Sequence, residues 1–114
     1  MNQQKGFCGG MILIYVTYPD EASAQAVSKA LLEARLVACA NIFPAHRSLY
    51  WWEGEIADEA EVAVIYKTRR DRFEAVEAAI KERHPYDVPC IVSVPVEKAQ
   101  QDFMGWVREQ TRER

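Results

Sequence analysis

The sequence has only three cysteines, no long apolar run and few motifs for chemistry, and each shortage excludes a class of protein. The cysteines are far apart and form no Cys-x-x-Cys pair, which favours a reducing compartment over a disulfide framework. No stretch approaches the roughly 20 apolar residues that a membrane-spanning helix needs. The first ten residues lack the continuous apolar segment of a secretory signal. We therefore expect a cytoplasmic protein without a membrane partner.

Basic residues are too few to favour nucleic acid as a partner. The chain has 14 Lys and Arg against 17 Asp and Glu, which gives a formal net charge of −3. Binding to a phosphate backbone usually needs a basic face. Catalytic motifs are equally scarce, because no phosphate loop or dinucleotide fingerprint occurs and the two histidines have no evident acid partner for a triad. The sequence thus predicts neither an enzyme nor an organic cofactor.

The apolar residues that are present follow the alternating and helical periods of an α+β domain. In chain order we predict a strand over 12–17, a helix over 22–34, a strand-like segment over 36–52 broken at Pro44, a strand over 55–67, a helix over 73–80, a strand over 90–94 and a last helix over 98–112. Strand–helix–strand–strand–helix–strand is the order of a ferredoxin-like domain, with an antiparallel sheet and both crossover helices on one face. We expect a flexible tail over residues 1–10 and a single domain over residues 11–114, which ends in an additional helix.

The predicted strands carry more apolar surface than one copy of the chain can cover. Both alternating faces of the first strand are apolar, and so are those of the last. A ferredoxin-like sheet usually leaves one face to water and alternates apolar with polar residues. Phe103 and Trp106 of the last helix, with Val107 on the same stripe, are one possible cover within the chain. The alternative is that identical chains cover the face for one another.

The two strands around Glu53–Gly54 predict an extended β-hairpin arm. A two-residue turn at this place joins strand-like segments that are longer than a domain of this size needs. Tyr50 points to one side and Trp51 to the other, with Trp52 on the side of Tyr50, so large aromatic side chains lie on both faces. We expect Tyr50, Trp51 and Trp52 to lie in an interface between identical chains.

Two groups of charged residues have both a structural and a functional interpretation. The first group consists of Lys67, Arg69 and Arg70. It overlaps the segment from Thr68 to Asp71, which resembles a helix capping box. Arginines in the first turn of a helix oppose the helix dipole. They predict either a solvated basic edge or a site for a small anion. Glu59 and Glu61 could attract hard cations, but on a long strand they are typical of exposed residues that prevent aggregation.

Four segments of the sequence resemble the signatures of CutA divalent-cation-tolerance proteins. They cover residues 37–42, 48–54, 67–68 and 84–89, and the similarity extends in matching order from about residue 12 to residue 106. The resemblance implies a cytoplasmic homotrimer of ferredoxin-like subunits that is built like PII signalling proteins. It also implies a role in tolerance of copper and other divalent cations, with weak metal binding in clefts between subunits.

Only some of the metal ligands proposed for that family are present in this sequence. Members proposed to bind copper have a cysteine near the end of the first strand, a His-His pair before Pro-Tyr and often a glutamate after the next proline. The corresponding residues here are Val16, Arg83 with His84, and Cys90. The candidate metal ligands are therefore His84 and Cys90, which suit a linear Cu(I) site or half of a shared site.

Structural interpretations remain open for both candidate ligands. His84 ends a helix and Cys90 opens a strand, so neither needs a ligand to explain its presence. The alternative function is that of a PII-like regulatory protein, which would bind a small anion through Lys67, Arg69 and Arg70 or recognise a protein partner.

Overall fold

The computed structural model describes residues 10–112, and their elements follow the predicted order. They are β1 (Met11–Tyr18), α1 (Glu21–Glu33), β2 (Cys39–Ile42), β3 (His46–Trp52), β4 (Glu55–Arg69), a 3₁₀ turn (Arg70–Arg72), α2 (Phe73–Arg83), β5 (Ile91–Pro95) and α3 (Gln101–Gln110). The predicted tail lies outside the described residues except for Gly10, whose carbonyl accepts a hydrogen bond from the Arg70 amide at 2.8 Å. No helix within residues 10–112 is long and apolar enough to cross a membrane.

The five strands form one antiparallel sheet in the order β2-β4-β1-β5, and β3 pairs with the first half of β4. The 15-residue strand β4 therefore belongs to two structures. Its residues 55–61 pair with β3 in the hairpin arm, and its residues 62–69 lie between β1 and β2 in the sheet. This confirms the ferredoxin-like fold with an extended arm.

One face of the sheet packs against α1 and α2 and forms the main core. Alternate residues of β1 and β4 point to this face, and each of them is almost fully buried. The helices contribute their own apolar stripes to the same cluster. The core side chains are Ile12, Ile14, Val16, Tyr18, Val62, Val64 and Tyr66 from the strands and Ala24, Val27, Leu31, Val76 and Ile80 from the helices.

The opposite face of the sheet, which we call the open face, is only partly covered. Tyr15 and Ile65 are half-buried there, and Val92 and Val94 are each 50% exposed. Helix α3 covers one end of this face, where Val107 packs with Met11 and Ala38. Trp106, which the sequence offers as part of a cover within the chain, is not buried by α3 and stays 44% exposed. One helix of ten residues is too short to cover the rest of the open face.

The local sequence determines how α1 is capped, but it does not determine the start of α2. Asp20 is the N-cap of α1, and its Oδ1 accepts a hydrogen bond from the Ser23 amide at 2.7 Å. The capping box predicted from Thr68 is wrong, because Thr68 still belongs to β4 and its hydroxyl donates to the Leu36 carbonyl. Neither the 3₁₀ turn nor α2 has a side-chain cap.

The hairpin arm turns at the predicted pair, Glu53 and Gly54. Both residues have positive φ, 50° and 82°, which is the geometry of the tight turns that match the twist of the strands. Glycine adopts this conformation at little cost. The arm extends the molecule to 51 Å along its longest axis, whereas the other two extents are 26 and 23 Å.

Candidate functional site

The candidate ligands lie in the segment that leads from α2 to β5. Helix α2 ends at Arg83, and His84 adopts an extended conformation because it precedes Pro85. The segment then passes the end of β1 and the base of the arm before β5 begins at Ile91. His84 and Cys90 therefore stand at opposite ends of one short connection.

The His84 ring is buried, with 8% of the residue exposed, and both of its nitrogens have partners. Nε2 donates to the Thr17 carbonyl at 2.7 Å, and Nδ1 accepts from the Tyr86 amide at 3.1 Å. A carbonyl oxygen only accepts and an amide N–H only donates, so the ring is neutral with its proton on Nε2. The ring also stacks on Tyr18, with centroids 4.8 Å apart and planes inclined by 17°.

Tyr86 connects this segment to the base of the arm. Its hydroxyl donates to Glu61 Oε2 at 2.8 Å, and burial followed by this hydrogen bond raises the pKa of the Tyr86 hydroxyl. The interpretation of Glu61 as an exposed residue is wrong, because only 7% of it is accessible. Glu61 alternates with Ala63 and Ile65 along β4, which places its carboxylate at the arm end of the open face.

Cys90 lies exposed just before β5, which begins opposite Val16 near the end of β1. Partial burial, and to a smaller extent the charge of Glu61, raises the pKa of its thiol. Metals bind the thiolate, so an ion at Cys90 has to displace a proton. The half-buried Cys39 of β2 also has a raised thiol pKa, because burial outweighs the opposing effect of Lys67.

The described residues of one chain do not form a closed metal site. Within residues 10–112, no group of three or more His, Cys, Asp or Glu side chains could hold a metal ion. The nitrogens of His84 are turned toward β1 and Tyr86, and Cys90 offers a single sulfur. Metal binding by His84 and Cys90 thus stays a prediction, and a closed tetrahedral site would need ligands beyond those that residues 10–112 bring together.

The proposed anion ligands are placed near α3 and are already engaged in part. The Lys67 ammonium lies 5.7 Å from the centre of the Phe103 ring, which is a cation–π distance. Arg69 pairs with Asp71, Nε to Oδ1 at 3.2 Å, and Arg70 is exposed at the start of the 3₁₀ turn. Anion binding by these three residues also stays a prediction.

The aromatic residues of the arm lie where the hairpin pattern places them. Trp51 is 73% exposed and Trp52 is 63% exposed, and they belong to opposite faces of the arm. Leu49 and Ile56 extend the apolar surface on the face of Trp51. Tyr50 is half-buried, and its hydroxyl donates to Glu59 Oε1 at 2.8 Å. Exposed apolar surface of this kind is typical of sites that associate with another molecule.

Sequence reasoning missed two hydrogen-bonded tyrosine contacts, one in the core and one at the base of the arm. The Tyr18 and Tyr66 hydroxyls lie 2.6 Å apart inside the core, and the Ser28 hydroxyl lies 2.9 Å from that of Tyr66. Burial is the main reason that the pKa of both tyrosines is raised. The second contact is that of Tyr86 with Glu61, which are 25 positions apart. The only local signal was the position of Tyr86 directly after His84–Pro85.

Comparison with known proteins places the chain in one family. Residues 12–110 match the family model described as CutA1 divalent ion tolerance protein. A divalent-cation tolerance protein CutA from Pyrococcus horikoshii is 48% identical over 102 residues, which cover 90% of this chain and 99% of the relative.

Solved structures of such proteins share the fold. The crystal structure of CutA1 from Pyrococcus horikoshii has a TM-score of 0.85 at 46% identity, and the comparison covers 90% of this chain and 99% of that one. A CutA structure from Archaeoglobus fulgidus, described as a periplasmic divalent cation tolerance protein, has a TM-score of 0.88 at 39% identity with the same coverage.

Proposed function

The chain belongs to the CutA1 divalent ion tolerance family, and from this we propose that it acts in tolerance of copper or another divalent cation as a homotrimer that binds the ion weakly between subunits. The observation that carries the proposal is the open face. This face continues into the apolar arm, and Glu61 and Cys90 lie where the two meet. A second copy docked on this face would cover the apolar residues and add ligands to Cys90.

Exposed apolar surface supports the self-association. Trp51, Trp52, Val92 and Val94 leave large apolar areas in water in a single copy, and such areas are uncommon on monomeric proteins. Each tryptophan can bury about 150–250 Å² in an interface. The number of three copies is the one that the family resemblance implies. We propose a cytoplasmic location because Cys39 and Cys90 are free thiols, which suit a reducing compartment.

Sedimentation velocity of the purified protein tests the assembly. We expect the mass of three 13.1 kDa chains at micromolar concentration. A well-folded species with the mass of one chain, whose tryptophan fluorescence already indicates buried indoles, would contradict the proposed trimer.

Metal titration of the tag-free protein tests the function. Calorimetry with Cu(I), Cu(II) and Zn(II) should detect weak binding, and Cys90→Ser should lower the Cu(I) affinity by about tenfold or more. Cys39→Ser is the matched control, because Cys39 is also a free thiol but is half-buried in β2. Equal affinities of the wild type and of both variants would show that Cys90 is not a ligand of the ion.

A further inference from the structure

We propose that His84 of this chain is a positioning residue and is not a metal ligand. Its neutral ring holds the segment from Pro85 to Cys90 against the end of β1 and the base of the arm. Cys90 is then the ligand that this segment presents. The identity of the ligand rests on the proposed function, whereas the role of the ring stands on the geometry of the chain alone.

The hydrogen bonds of His84 leave no nitrogen available for an ion. Nε2 carries the proton and donates to the Thr17 carbonyl, and the lone pair of Nδ1 accepts the Tyr86 amide. Coordination through Nε2 would require loss of its proton and would leave the Thr17 carbonyl unpaired. Coordination through Nδ1 would leave the Tyr86 amide unpaired. Unpaired backbone groups in a buried place are strongly unfavourable.

Packing keeps the ring in this orientation. His84 contacts two aromatic rings, because it is stacked on Tyr18 and tilted by 45° against Tyr86. Tyr18 is itself held by the hydroxyl of Tyr66, and Tyr66 is held by Ser28. A flip of the imidazole would therefore disturb a contact that reaches into the core between the sheet and α1.

The benefit of this arrangement is the position of Tyr86. With its amide fixed on His84 Nδ1, Tyr86 directs its hydroxyl to Glu61 Oε2. The segment is thus joined to β1 by the ring and to β4 by the tyrosine hydroxyl. Cys90 follows four residues after Tyr86 and directly precedes β5, whose first residue, Ile91, pairs with Val16 near the end of β1. Groups that orient a ligand in this way typically change metal affinity about 10–100-fold when they are removed.

Amide substitutions separate the two roles of His84. In His84→Asn the side-chain oxygen can take the place of Nδ1 and accept the Tyr86 amide, whereas in His84→Gln the side-chain nitrogen can take the place of Nε2 and donate to Thr17. Neither replaces imidazole as a copper ligand. We expect His84→Asn to keep slow hydrogen exchange at the Tyr86 amide in metal-free protein, and His84→Gln and His84→Ala to lose it. Fast exchange in the Asn variant would overturn the positioning role.

Nitrogen NMR of the two histidine rings gives the direct readout. In the metal-free wild type we expect protonated Nε2 and bare Nδ1 at His84. Addition of one equivalent of Cu(I) or Zn(II) should leave both shifts unchanged, whereas a response at His84 would overturn the proposal. His46 is the comparison ring, because it lies opposite Glu61 in the β3–β4 register. A response at His46 alone supports the proposal.

Metal affinity of the same variants completes the test. His84→Ala should lower the Cys90-dependent affinity by about tenfold, and His84→Asn should restore it. Equal losses in the Ala, Asn and Gln variants would identify His84 as a ligand. If the wild type binds no ion, the proposed function fails, while the ring tautomer and the Tyr86 exchange still decide the role of His84.

Discussion

The two faces of the sheet differ in how completely a single copy covers them. On the helix-facing side, Val64 and Ile14 are fully buried beneath α1 and α2. On the open face, Val92 and Val94 belong to the same sheet and remain half-exposed. Apolar side chains occur on both faces, and their exposure differs because α1 and α2 cover the first face whereas α3 covers only one end of the second. The first face stabilises the fold of one chain, and the second is available for assembly.

A matched pair of valine substitutions should show the largest difference in stability between the two faces. Val64→Ala removes two methyl groups from the buried core beneath the helices, and we expect it to lower the free energy of unfolding by about 2–3 kcal/mol. Val94→Ala makes the same change on the open face and should cost less than about 1 kcal/mol at low protein concentration, where a single copy leaves the site half-exposed. Urea denaturation measures both, and equal losses at every concentration would mean that the two faces are equivalent.

Trp52→Ala tests the arm, which extends the open face. Truncation of an exposed tryptophan should hardly change the fold of one chain, but at the centre of an interface it costs about 2 kcal/mol or more. We expect sedimentation to show partly dissociated protein at micromolar concentration with an unchanged far-ultraviolet circular dichroism spectrum. A fully intact assembly of the variant would argue against docking through the arm.

Two tyrosine hydroxyls, one in the core and one on the arm, allow the same comparison for single hydrogen bonds. Tyr66→Phe should lower the free energy of unfolding by about 1–2 kcal/mol, because the buried hydroxyls of Tyr18 and Ser28 both lose their partner. Tyr50→Phe removes a hydroxyl that binds the Glu59 carboxylate on the arm, and we expect no measurable change at a low protein concentration, where the arm of a single copy is exposed. Thermal or urea unfolding of the two variants at one protein concentration provides the measurement, and equal losses would contradict the distinction.

The smallest expected effect concerns pH and the start of α1. The hydrogen bond from the Ser23 amide lowers the pKa of Asp20 below its ordinary 3.8. The cap therefore stabilises the folded chain fully above pH 3.8, and this contribution is lost as the pH falls through the lowered pKa. Asp20→Asn keeps a capping oxygen at every pH, so the acid part of its stability profile should be slightly flatter. Identical acid profiles would contradict the contribution of the cap.

The sequence predicted those elements whose pattern is repeated along the chain. Both faces of the first strand are apolar over six successive residues, and Glu53–Gly54 between two such segments is a strong hairpin signal. Asp20 before a helical stripe is equally local. These signals needed no information about distant residues, and the strands, the hairpin and the first helix follow them.

The features that were missed depend on contacts between distant parts of the chain. Thr68 has the right neighbours for a capping box, but its hydroxyl is used by the Leu36 carbonyl and its backbone continues the strand. Glu61 is buried because Tyr86 arrives from another connection, and no local pattern records that. The same reason applies to His84, whose two partners lie in β1 and in the next turn. A short sequence motif shows which hydrogen-bonding groups are present, but it does not show which distant partner each of them binds.

The continuity of β4 restricts how the arm can change in length. Since one uninterrupted strand serves both the arm and the sheet, its alternation is carried without a break from Glu55 to Arg69. Removal of one residue between 56 and 60 would leave the pairing of residues 62–69 in the sheet unchanged. Between the deletion and the tip of the arm, each side chain of β4 would then point to the opposite face. Insertions and deletions should therefore be tolerated only in multiples of two residues on each strand, because only then does every aromatic ring of the arm keep its face.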